Sequence, residues 1–135
     1  MRMGMVVLAL AVPMSLLSCG SATAGGVEPG KVFTLAVGDT ARLADPEYAV
    51  TLTGVGQDSR CPEGVQCVWE GDAVVTVRIT AGTAAPTEHE LHTNARFATA
   101  VTVAGHELRL VALNPHPKQG VTLAADSYRA DFTLQ

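Results

Sequence analysis

The side chains able to do chemistry are few in this sequence, and their spacing narrows what they can do. Three cysteines (Cys19, Cys61, Cys67) and four histidines (His89, His92, His106, His116) are the candidates for thiol, metal or general-base chemistry. Cys61 and Cys67 sit in the run Asp58-Ser59-Arg60-Cys61-Pro62-Glu63-Gly64-Val65-Gln66-Cys67-Val68-Trp69-Glu70-Gly71. Zinc thiolate pairs use shorter spacers and come with a second pair of ligands, and redox dithiols use a still shorter spacer at a helix start. Neither pattern is present. Glu88-His89-Glu90-Leu91-His92 looks metal-like, yet the odd spacing puts His89 and His92 on opposite faces of a strand, so joint chelation would need a bulge. His106 and His116 fall in a Gly105-His106 turn and a proline-rich turn, and the histidines read as exposed polar side chains.

Nucleophilic serine chemistry fares no better, since it needs a base and an orienting carboxylate. From Cys19 onward, the serines are Ser21, Ser59 and Ser127, and none has a Gly-x-Ser-x-Gly setting. Glu63, Glu70 and Asp72 lie near one loop and read as solvated acids. Gly54-Val55-Gly56 is followed by no helical pattern, so no phosphate cradle forms there. The expectation is therefore no catalytic residue, no metal ligand and no cofactor. The competing expectation is a small metal-binding protein or metal-dependent enzyme that uses the histidines.

Location is written at the N-terminus. Met1-Arg2 gives a positive start, and Met5 to Leu17 is almost wholly apolar. A bilayer span needs about 20 residues, so this shorter run reads as a secretory signal. Leu16-Leu17-Ser18-Cys19 resembles a bacterial lipobox, in which the cysteine is acylated and becomes the mature N-terminus. Ala22-Thr23-Ala24 offers an alternative cut that would make the protein secreted. The reading is a signal peptide over 1–18, lipidation at Cys19, a Gly/Ala/Ser/Pro tether over 19–30, and one domain over 31–135. Setting Cys19 aside leaves two cysteines, an even number, in an oxidising compartment.

The domain reads as all-β. Phe33, Leu35 and Val37 alternate with polar or small residues, and Gly38-Asp39 suits a two-residue turn into Thr40–Leu43. Tyr48, Val50 and Leu52 alternate likewise, as do Val75, Val77 and Ile79, then Leu108 and Leu110, then Tyr128, Ala130, Phe132 and Leu134. Strands with one apolar face must bury it against a second sheet. About seven or eight antiparallel strands in an immunoglobulin-like sandwich are expected, with a small barrel as the alternative.

A bridge between Cys61 and Cys67 would stabilise the fold by about 2.4 kcal/mol on the chain-entropy model. Pro62 and Gly64 suit a tight loop, and Trp69, the only Trp, is placed to pack over the bridge as the next strand begins. Asp58 and Arg60 are placed to form an ion pair that pins the loop; with Glu63 and Trp69 they are also the candidate contact residues. The Asp-Ser-Arg-Cys-Pro start, Val65-x-Cys67-Val68-Trp69-x-Gly71, Leu113-x-Pro115-x-Pro117 and Tyr128-Arg129-Ala130 resemble a group of small bacterial lipoproteins or secreted proteins. The resemblance covers the chain from about Phe33 to its end. His116 departs from it, standing where an aromatic, often Tyr, is expected. The group has no established activity, so the resemblance implies location and a disulfide but no catalytic residue.

Composition limits the partners. Lys plus Arg total 9 against 13 for Asp plus Glu, and the mature charge after cleavage becomes −5. Nucleic-acid binders need a basic stripe, so that class is excluded as an expectation. All four Met leave with the signal, which tells against a Met-rich copper site. What is expected is a noncatalytic binding or envelope-structural module, held to a membrane by its lipid, with an unidentified protein or small-molecule ligand.

Overall fold

Alternation of apolar and polar side chains builds eight strands: β1 (Phe33–Ala36), β2 (Thr40–Leu43), β3 (Tyr48–Gly56), β4 (Val74–Ala81), β5 (Thr87–His92), β6 (Ala100–Val103), β7 (His106–Asn114) and β8 (Arg129–Leu134). The computed structural model describes residues 26–43 and 47–135. The expected signal peptide, Cys19 and the first part of the tether lie outside the described residues.

The strands form two four-stranded antiparallel sheets, in the orders β1-β8-β7-β6 and β2-β3-β4-β5. Each strand therefore neighbours its successor in the chain, except at two seams where the chain changes sheet, and β1 returns to β8. This is an up-and-down meander flattened into two layers. The open seams make it a sandwich rather than a closed barrel, and the strand order is a meander rather than the Greek key of immunoglobulin domains.

The period-two pattern delivers the core. Tyr48, Val50, Leu52, Val75, Val77, Ile79, Leu108, Leu110, Tyr128 and Phe132 are all buried, joined by Leu91, Ala130 and Leu134. Phe132 is fully enclosed and stacks on Phe33 with ring centroids 5.8 Å apart. Around it the core is mostly Val and Leu, as the low aromatic content requires.

Three local readings change. Gly38-Asp39 does not close a hairpin, because β1 pairs with β8 and β2 with β3. It is a corner between sheets: the Gly38 N–H donates to the Leu52 carbonyl and the Leu52 N–H to that of Asp39. Val27 and Gly30, read as tether, are docked on the domain through N–H bonds to the Arg42 and Leu134 carbonyls. The β6–β7 turn is Ala104-Gly105, both with positive φ, so His106 begins β7. There its ring packs on Tyr48 at 5.0 Å, and it is not a free polar side chain.

The registers define two ends. Gly30 meets Leu134 at one end, where the described chain enters the sandwich. Gly56 faces Val74 and Asn114 faces Arg129 at the other, where the long loops gather. The nine residues of β3 separate these ends by roughly 26 Å at the usual strand rise.

Val111 follows buried Leu110 in alternation and is half exposed; the bulge between Leu110 and Ala112 then shifts the phase, so that Leu113 also enters the core. Leu110→Ala should cost about 2–5 kcal/mol in a denaturant titration. Val111→Ala should stay within about 0.5 kcal/mol of wild type. Equal effects at the two adjacent positions would contradict this register.

Candidate functional site

Three segments far apart in the chain meet at the loop end: the cysteine loop between β3 and β4, the proline turn after β7, and the start of β8. Their junction is one guanidinium. Arg60 Nε donates to Asp58 Oδ1 at 2.8 Å, and Nη2 donates to Asp58 Oδ2 at 2.8 Å. Nη1 donates to the Leu113 carbonyl at 2.7 Å and Nη2 also to that of Pro115 at 3.0 Å. Tyr128 Oη donates to Asp58 Oδ2 at 2.8 Å. The Arg60 and Asp58 side chains are only 8% and 13% exposed, so the pair is interior and its charges face each other. The planar fork of Arg suits this bidentate geometry as Lys could not. Asp58 and Arg60 thus pin the loop, and Arg60 offers almost no surface to a partner.

The loop itself is stitched at several points. Cys61 and Cys67 are bridged, with Cα atoms 6.0 Å apart. The Cys61 N–H donates to the Glu70 carbonyl, and the Glu63 N–H to that of Pro117, both at 2.9 Å. His116 donates from Nε2 to the Cys61 carbonyl at 2.9 Å, so the residue that departs from the resemblance closes this contact. The Glu63 carboxylate stays exposed. Gly71 has φ +76, and a Cβ there would lie 1.9 Å from the Ser59 carbonyl oxygen, so no larger residue fits without moving backbone.

A second cluster, absent from the sequence reading, sits beside the first. Asp72, read as a solvated acid, is buried. His92 Nδ1 donates to its Oδ2 at 2.6 Å, the Asn94 N–H to its Oδ1 at 3.0 Å, and Thr93 Oγ1 to the same oxygen at 3.3 Å. Asn94, also buried, donates from Nδ2 to the Gly71 carbonyl at 2.8 Å. The arrangement ties the start of β4 to the β5–β6 corner, and it corrects the view of His92 as a free surface side chain. The His92 ring also packs on Phe97, with centroids 5.1 Å apart.

Between these clusters lies an open cleft of about 550 Å³, with Trp69, Phe97, His92, Val74, Gln57 and Ser59 on its walls. Trp69 and Phe97 are 47% and 48% exposed. Trp69 does not seal the bridge, because Cys67 is exposed, and β4 begins only at Val74.

The carboxyls carry the electrostatics. Burial alone would raise the Asp58 carboxyl, but hydrogen bonds from Arg60 and Tyr128 outweigh it and hold the group below its ordinary value. For Asp72 burial is likewise outweighed, by His92 and the Asn94 amide. Burial and donation to Asp58 push the Tyr128 hydroxyl upward. The Ser59 hydroxyl donates to the Asp72 carbonyl at 3.0 Å and accepts from the Asp72 N–H at 3.1 Å, so it is fastened to backbone and not to the imidazole. Among the described residues, no three His, Cys, Asp or Glu side chains are grouped to hold a metal ion. On β5, His89 stands opposite Val77 of β4 and His92 opposite Val74, an odd offset that puts the two histidines on opposite faces of the strand.

The class so defined is a small disulfide-bonded β-sandwich of an oxidising, extracytoplasmic compartment. In comparisons with known proteins, no family model, no curated protein and no solved structure matches the chain.

Stability should follow the Asp58–Arg60 pair. A carboxyl depressed in the folded state adds stability above its unfolded pKa and loses it as pH falls through the lower folded value. Wild type should therefore be level near neutrality and weaken below about pH 4, near the ordinary carboxylate range. Arg60→Met strands a buried carboxylate and should cost about 3–5 kcal/mol at pH 7. Near pH 3 the loss should be smaller, because the stranded group is then protonated. Urea titrations of both proteins across that range check this; a pH-independent difference would contradict it.

Proposed function

We propose that this chain is an extracytoplasmic lipoprotein, held to a bacterial membrane by lipid on Cys19, whose sandwich domain is a noncatalytic binding or envelope-structural module. The observation that carries the reading is that Asp58, Arg60, Ser59 and Asp72 at the loop end are spent on neighbouring side chains and on backbone. Arg60 is consumed by Asp58 and two carbonyls, Asp72 by His92, Thr93 and Asn94, and Ser59 by backbone. What they build is a stiff platform. The export signal and the lipobox-like Leu16-Leu17-Ser18-Cys19 support the anchor, and the disulfide agrees with export. The described chain enters at the end opposite the loops, so a domain tethered by its N-terminus presents those loops away from the membrane.

Fractionation of the producing cell tests the anchor. Wild-type protein should sediment with membranes, require detergent for release and carry acyl mass on Cys19. Cys19→Ser should release the chain in soluble or unprocessed form. A wild-type chain recovered without lipid and beginning at Gly25 would overturn the lipoprotein reading.

A further inference from the structure

We propose that the cleft between Trp69 and Phe97 is a binding site for a neutral sugar, an inference that rests on the noncatalytic-binding reading and gives it a ligand class. The cleft, at about 550 Å³, has the size of a small-molecule site. Its walls are two half-exposed aromatic rings on different loops, Trp69 before β4 and Phe97 before β6. Aromatic faces carry partial negative charge and attract the slightly positive C–H face of a ring that stacks on them. A pyranose offers such a face together with a rim of hydroxyls.

Charge decides among ligand classes. Among the described residues no Lys or Arg lines the cleft, so a phosphate or sulfate meets no Lys or Arg there. The two carboxylates at its edge are occupied, Asp58 by Arg60 and Tyr128, Asp72 by His92, Thr93 and Asn94. An ammonium ligand would therefore compete with bonds already made. The polar groups left over are uncharged or of mixed character. Gln57 and His92 Nε2 have no hydrogen-bond partner among the described residues, and between them they can both donate and accept. A ligand bearing several hydroxyls satisfies that mixture, whereas a purely apolar ligand leaves it unmet.

Rigidity and placement agree. The disulfide, the Arg60 junction and the Asp72 cluster fix the loops that carry both rings, so little freedom is lost when a ligand arrives. The cleft opens at the end away from chain entry, where a tethered domain meets its surroundings.

Because Trp69 is the only Trp, its fluorescence reports the cleft directly. The soluble domain carries every element described above and is titrated with N,N′-diacetylchitobiose and with cellobiose, two neutral disaccharides. At least one should give a saturable change with a dissociation constant of about 1 mM or lower. Phe97→Ala should weaken that binding about tenfold while leaving circular dichroism unchanged. Val111→Ala, on the outer face of β7, should leave it intact. Sodium phosphate and choline should produce no saturable change. Silence of Trp69 with both disaccharides, binding indifferent to Phe97→Ala, or saturation by phosphate or choline instead would overturn the sugar site. None of these outcomes bears on membrane fractionation, so failure of this inference is separable from failure of the lipoprotein reading.

Discussion

The Arg60 guanidinium is the constraint on which the loop end depends. Arg60 donates to two carbonyls at the end of β7, that of Leu113 within the strand and that of Pro115 just beyond it. The same group neutralises Asp58, which in turn accepts from Tyr128 at the head of β8. A buried ion pair by itself is a doubtful source of stability, since desolvating two charges costs several kcal/mol. Here its neighbours change the balance, because removing Arg60 would leave the Asp58 carboxylate without its counter-charge, held by the Tyr128 hydroxyl and one backbone N–H, and would take a donor from each of two carbonyls. The pair is better understood as a device that allows one arrangement of three loops and disfavours others.

That device and the Asp72 cluster do complementary work across the seams of the sandwich. The meander leaves β5 and β6 in different sheets, not paired with each other, so the corner joining them needs fastening from elsewhere. Asn94 and Thr93 provide it, through Asp72 and the Gly71 and Ala73 backbone. The close approach of Gly71 to Ser59 lets the two clusters share one strand of backbone. Stiff loops bearing two outward aromatic rings are what a recognition surface requires.

Much of the fold was legible because burial follows a period of two along most of each strand, outside the bulges in β3 and β7. Every residue assigned to the core from Tyr48 to Phe132 is buried, and the pairing of Cys61 with Cys67 followed from export and an even count. The readings that changed depend on which strands become neighbours, and alternation says nothing about that. Gly38-Asp39 has hairpin chemistry whether its flanking strands pair or part, and here β1 parts to join β8. His92 reaches Asp72 only because β4 and β5 align Val74 opposite His92, a register no local pattern specifies. Asn94 gave the one available hint, being a polar residue just past a strand, a common place for a side chain that bonds backbone. Tyr128 was legible as core through its ring, while its hydroxyl bond to Asp58 spans 70 residues and was not.

The most direct measurement is native-state hydrogen exchange at the amides of Ser59, Cys61 and Glu63. These lie in a loop with exposed side chains, yet each donates to a carbonyl, of Asp72, Glu70 and Pro117 respectively. If the Arg60 junction holds the loop end as a stiff platform, these amides should be protected nearly as well as those of β3 and β4. The protection should collapse in Arg60→Met while the central strands keep theirs. Exchange in wild type as fast as in an unstructured chain would contradict the central claim, because the loops would then be mobile and the cleft between Trp69 and Phe97 would have no fixed shape.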